Sequence, residues 1–248
     1  SYCSETLFKS ALLLLALLYV TLTYAYTERD LLQKQADINR LKEILVLDRQ
    51  WVTYPDYNDR AGWDRFLGTF KDEYIRRGEK RLNYQWQVVK ATDYLAFERT
   101  GNRQIMEKPF GANNGAIADL LMAELAEGKG RFVDQLINGV FNACEMTSWA
   151  LAAHIIVQPS HRALPAYDYP VIDLTSGDLG GLLAWTYHFM RPSFDKVDPE
   201  ISRRLRHELQ TRILDPYMNN DSFWWMGRNY NGRMLNNWNP WCNSNALM

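Results

Sequence analysis

Apolar residues recur at helical spacing along most of this chain. Ile117, Leu120, Leu121 and Leu125 form one stripe; Phe132, Leu136, Val140 and Cys144 form a second at strict i, i+4 spacing; Ile201, Leu205, Leu209 and Ile213 form a third. The run Gly180 to Arg191 predicts a further helix. Nearer the N-terminus, Leu31, Leu32, Ile38, Leu41, Ile44 and Leu45 predict an amphipathic helix over Glu28 to Val46. Helices are also expected from Trp63 to Arg77 and from Glu79 to Thr100, stopped by Gly78 and Gly101, with Gly128 to Gly130 stopping the stripe before them. Turn formers make loops of Asp48 to Ala61 and of Pro159 to Pro170.

Period-two alternation is nearly absent, so the fold class is all-α. No repeat of fixed period is present, which favours a bundle or toroid over a solenoid. In a toroid the loops at one end surround a cleft, and Trp149, His154, His161, Trp224, Trp225 and Trp238 all fall at expected helix ends.

Composition adds one unusual feature. The chain has 248 residues, enough for one large core, and an ordinary apolar fraction of 47%, but it carries nine Trp and fourteen Tyr. Such residues fill a core or line a groove with stacking faces. The formal net charge of −1 provides no field for nucleic acid, so an anionic ligand must be met locally. The basic clusters at Arg76, Arg77, Lys80 and Arg81 and at Arg203, Arg204 and Arg206 are interleaved with acids and read as solvated faces.

Lys9, the apolar run Ala11 to Val20, and Thr23 and Ala25 in the positions of a cleavage site predict a secretory signal peptide over residues 1–25, with a helical domain over 26–248. That implies a periplasmic or secreted protein with no stable membrane insertion after cleavage. Cys144 and Cys242 then remain. Export permits a disulfide between them, and no Cys/His spacing suggests zinc.

Two stretches could carry chemistry. In CEMTSWALAAHIIVQPSHR, Glu145, Ser148 and Trp149 are expected within one helical turn: Trp149 to stack on a sugar ring, Glu145 to accept hydroxyl hydrogen bonds, and His161 with Arg162 to face an anionic group. His154 reads as a satisfied polar group within helix packing. In LNNWNPWCNSN, the amides of Asn236, Asn237, Asn239, Asn243 and Asn245 alternate with Trp238 and Trp241, which suits a sugar site. Asn113 to Gly115 reads as a helix-start turn. No phosphate-binding Gly-rich loop, nucleophile elbow or HExxH is present, and no cofactor is implied.

The stretch from about Leu47 to Asn245 resembles the N-terminal helical part of heparinase II/III-like polysaccharide lyases. The resemblance lies in WVTYPDYNDRAGWD, VVKATDYLAFERTGNRQIME, INGVFNACEMTSW, SHRALPAYDYPVIDLTSGDLGGLLAWTYHF, RILDPYMNN and NNWNPWCNSN. It implies an incomplete (α/α) toroid, followed in such proteins by a β-sandwich, and β-elimination on a uronate-containing polysaccharide or oligosaccharide. It also implies Asn237 as the group that neutralises the uronate carboxylate; on the reading of the residues themselves, Glu145, Trp149, His161, Arg162, Asn236, Trp238, Trp241 and Asn243 are the expected substrate-binding residues. Trp238 stands where related lyases often carry a His base. The Tyr acid would lie beyond Met248, so the chain is expected to be part of a longer protein. A toroid glycoside hydrolase, with Glu145 and Asp173 as its only candidate carboxylates, and a non-catalytic carbohydrate-binding protein are the alternative readings.

Overall fold

A computed structural model describes residues 34–45, 52–220, 223–227 and 235–248. Among the described residues the structure is all-helical, with no strand. The leader expected over 1–25 lies outside them. The chain divides into two units, one of residues 1–52 and 227–234, the other of 53–226 and 235–248. In the first, helix α1 (Ile38–Ile44) begins at Asp37, whose carboxylate accepts the N–H groups of Asn39 and Arg40; α1 buries no residue. Lys34 and Gln35 are helical as well, but Ala36 and Asp37 are not, so the single helix expected over Glu28 to Val46 is interrupted there.

The second unit holds α2 (Arg60–Leu67), α3 (Lys71–Glu79), α4 (Ala91–Thr100), α5 (Gln104–Glu127), α6 (Val133–Cys144), the single turn α7 (Ala152–Ile155), α8 (Leu174–Val197), α9 (Pro199–Leu209), α10 (Asp215–Asn219) and α11 (Trp238–Leu247). Helices pack in pairs: α3 on α5, α5 on α6, α6 on α9, and α8 on both α9 and α11. The predicted stripes form the core. Ile117, Leu120, Leu121, Leu125, Phe132, Leu136, Val140 and Cys144 are all buried in one cluster, and each large side chain among them contributes roughly 1.5–3 kcal/mol. Gly101 and Gly128 end α4 and α5 in the left-handed conformation, at φ 72° and 67°.

Four expectations fail for identifiable reasons. Gly78 does not stop a helix; it lies inside α3 and lets the backbone approach Ala123 and Phe132 closely. Residues 80–90 are not helical. Asn113, buried in the middle of α5 and not at a helix start, accepts the N–H of Gln87 (3.0 Å), donates to its carbonyl (2.7 Å), and also binds Tyr84 and Asn142. Asn113 thus satisfies both backbone groups of Gln87, and Gln135 takes the carbonyls of Arg81 and Tyr84, in place of helical hydrogen bonds. Finally, α6 ends at Cys144, with Glu145 as its cap, so Glu145, Ser148 and Trp149 do not share a helical turn.

The chain after α9 tightens the geometry further. Residues Gln210–Leu214 form a π-helical turn that joins α9 to α10. Glu208, nearly buried, accepts from Arg204 at 2.7 Å and from Arg212 at 2.5 Å. Burial works against its charge, and the hydrogen bonds from Arg212 and Arg204 outweigh it, so its carboxyl sits below the usual range. On α8, Gly177 and Gly181 present a groove one turn long, where Asn245 of α11 and Met248, its C-cap, come close.

Candidate functional site

The site is built around Asp173, the N-cap of α8. Its Oδ1 accepts the N–H of Ser176 at 2.7 Å, and Ser176 Oγ accepts the N–H of Asp173 in return, a reciprocal capping box. Asp173 is 0% exposed. Its Oδ2 accepts the N–H of Leu151 (3.1 Å) and meets His154 Nδ1 at 2.6 Å, and Thr175 Oγ1 donates to the same carboxylate. Four donors hold one carboxylate, which orders α7 against the start of α8.

His154 has a second polar neighbour. Its Nε2 lies 3.4 Å from Nη2 of Arg103, whose Nε donates to Glu107 at 2.6 Å. A carboxylate can only accept and a guanidinium can only donate, so the imidazole tautomer with its proton on Nδ1 satisfies both. The imidazole is nearly buried, with 14% of the side chain exposed.

Aromatic residues close over it. Trp238, the first residue of α11, packs against the His154 ring at 4.7 Å with an interplanar angle of 63°, and Trp224 packs on Trp238 at 5.1 Å. Asn239 fixes this arrangement by donating to the carbonyls of Trp225 (2.8 Å) and Met226 (3.2 Å), so the short turn Trp224–Met226 is tied to α11. Trp224 is left 51% exposed, a free apolar face. Asn236 accepts the N–H of Trp238 at 2.9 Å. Asn237, the N-cap of α11, is exposed, and among the described residues its amide makes no hydrogen bond. The amide is therefore free at the positive end of a helix.

The other expected residues do not converge here. Trp149 is only 2% exposed; its Nε1 donates to Ala143 O at 2.8 Å and the Arg212 guanidinium covers its ring at 5.2 Å, so no sugar can stack on it. It walls a cavity of about 150 Å³ lined by Thr147, Tyr167, Tyr169, Glu208 and Arg212. Arg212 itself is spent on Glu208 and on the carbonyls of Thr147 and Cys144. Glu145 is an exposed helix cap. Arg162 makes a bidentate pair with Glu98, at 3.0 and 2.8 Å, and this pairing, with the Ala163 N–H, holds the Glu98 carboxyl below the usual range. His161 takes φ 52° and donates to Ile156 O at 3.1 Å. These two residues strap a loop and offer no vacant cation. Trp241, half-exposed, donates to Asp178 at 2.7 Å, and Asn243 accepts from Tyr217 at 3.0 Å. Trp225 is core, stacked on Phe223.

Of the residues predicted from sequence, then, Asn236, Asn237 and Trp238 lie together. His154, read from sequence as a packing group, and Arg103, not singled out, join them. Arg103 and His154 are 51 positions apart, and no spacing rule connects them.

Cys144 and Cys242 are both free and buried in separate clusters, so the disulfide that export would permit is not formed. Burial chiefly, with Glu208 adding for the first and Asp173 and Asp178 for the second, pushes both thiols up to about 12. Among the described residues no group of three or more His, Cys, Asp or Glu could hold a metal ion, and no helix is long and apolar enough to cross a membrane. Compared with known protein families the chain matches none, and no characterised protein is significantly similar to it.

Proposed function

We propose that this chain is the substrate-binding helical part of a polysaccharide lyase, an incomplete (α/α) toroid acting on a uronate-containing glycan in the periplasm or outside the cell. The observation that carries this reading is the unengaged amide of Asn237 at the N-terminus of α11, next in sequence to Trp238, on which the half-exposed Trp224 packs. A uronate pairs a flat apolar sugar face with one carboxylate. An aromatic face and a neutral donor at a helix N-terminus match both, at lower desolvation cost than a lysine. Neutralising that carboxylate stabilises the carbanion that forms when the α-carbon loses its proton, which is the hard step of β-elimination. A glycoside hydrolase needs two carboxylates across one bond. Asp173, with four donors on it and no exposed surface, serves as a helix cap instead.

The test is to incubate the protein, as its source cells make it, with alginate, polygalacturonate, chondroitin sulfate and heparan sulfate, and to follow the absorbance of the unsaturated uronate product. Asn237→Ala should lower kcat/KM by about 100- to 1,000-fold with unchanged Tm. Saturated reducing ends, binding without cleavage, or full turnover by the variant would overturn the reading.

A further inference from the structure

We propose that the cavity walled by Trp149 is a second, non-catalytic binding site, which takes one neutral pyranose ring whether or not the protein is a lyase. Its walls come from the segment after α6 (Thr147 to Trp149), from residues 166–171, from the first turn of α8, and from the end of α9 with the π-helical turn that follows; none comes from α11 or from Trp224–Met226. The space is about 150 Å³. An apolar cavity of about 150 Å³ stays dry and accepts a benzene ring, so the size suits one six-membered ring. Here hydroxyls, a carboxylate and a guanidinium line that space, which selects a ring bearing hydroxyls.

These polar groups keep hydrogen-bonding capacity that their protein partners do not use. Glu208 accepts one bond from Arg204 and one from Arg212, about half of what a carboxylate can accept. Arg212 gives one N–H each to Glu208, Thr147 O and Cys144 O, and a guanidinium has about five. A donor and an acceptor therefore remain side by side, the pattern that two adjacent ring hydroxyls complete. Ser148 Oγ accepts the Ala150 N–H at 3.1 Å and keeps its own proton to donate. The hydroxyls of Thr147 and Tyr167 bond to no other described residue. Tyr167 is 90% exposed at the rim, so its ring offers a free face to the apolar side of a sugar, a role closed to Trp149 under Arg212. The charges are already matched: a carboxylate on the ligand would lie against Glu208 and find Arg212 committed to that residue, which disfavours a uronate.

The experiment titrates the native full-length protein with glucose, galactose, mannose and xylose, with galacturonate as the charged comparison and benzene as the apolar one, read by saturation-transfer NMR. At least one neutral sugar should bind saturably with a millimolar Kd, about tenfold or more below that of galacturonate, and benzene should not bind. Thr147→Val and Tyr167→Ala alter exposed side chains; each should weaken sugar binding about fivefold or more with unchanged Tm. Trp224→Ala should leave it unaltered. Galacturonate bound as tightly as the best neutral sugar, benzene bound instead, or no saturable binding by any of the four would overturn the site. Weakening by Trp224→Ala with full binding by the other two variants would put the sugar beside α11 and refute this cavity. Unsaturated product is a separate readout: its absence sinks the lyase reading and leaves this site standing, and its presence without neutral-sugar binding does the reverse.

Discussion

Asp173 Oδ2 lies 2.6 Å from His154 Nδ1 and accepts the Leu151 N–H at 3.1 Å, so a single buried oxygen joins α7 to the start of α8. Removing the whole carboxylate strands these two donors and, through Oδ1, the cap on Ser176 N–H at once. Asp173→Ala is therefore expected to cost about 3 kcal/mol, combining a lost cap with unsatisfied buried donors. Asp173→Asn keeps an oxygen for Ser176 and should cost less. Urea denaturation of the three proteins checks the order.

Glu208 predicts acid sensitivity. Its folded-state pKa lies below its unfolded value, so its contribution is complete above the ordinary glutamate pKa of about 4.3 and is lost as pH falls through the lower folded value. Stability of the wild-type protein should fall across that window, and Glu208→Gln should flatten this part of the pH dependence while lowering stability at neutral pH. Equal slopes in the two proteins would show that the Arg204 and Arg212 contacts carry no charge-dependent stability.

Two glycines in helices should respond to alanine in opposite directions. At Gly78 an added methyl meets the Ala123 side chain and lies 3.1 Å from Phe132, inside a close-packed pair of helices. Overpacking there should cost about 1–3 kcal/mol. At Gly115, inside α5, nothing lies within 4 Å of the new methyl, and the gain in helix propensity should stabilise by about 0.5–1 kcal/mol. Thermal melts of Gly78→Ala and Gly115→Ala decide both.

Tryptophans of one sequence type should separate into two roles. Trp224→Ala, which removes an exposed face, is expected to weaken oligouronate binding about tenfold, or roughly 1.4 kcal/mol, with little change in Tm. Trp149→Phe loses the hydrogen bond to Ala143 O and part of its contact with Arg212, so it should lower Tm and leave affinity unchanged. Calorimetric titration of both variants would expose an error in either assignment.

Much of the helical frame was legible in the sequence by itself. The stripe Phe132, Leu136, Val140, Cys144 and the stops at Gly101 and Gly128 depend on spacing within one or two turns and on the left-handed conformation that glycine tolerates, and both are local properties. The cluster of amides around Asn237 and Trp238 was equally visible as composition. What the local pattern could not contain is which polar side chains find partners. Only tertiary packing consumed Arg162 on Glu98 and covered Trp149 with Arg212. Packing likewise held residues 84–87 open through Asn113, and placed His154 between Asp173, Arg103 and Trp238. Those contacts join residues 19 to 84 positions apart in sequence, and their energy exists only once the helices between them have packed.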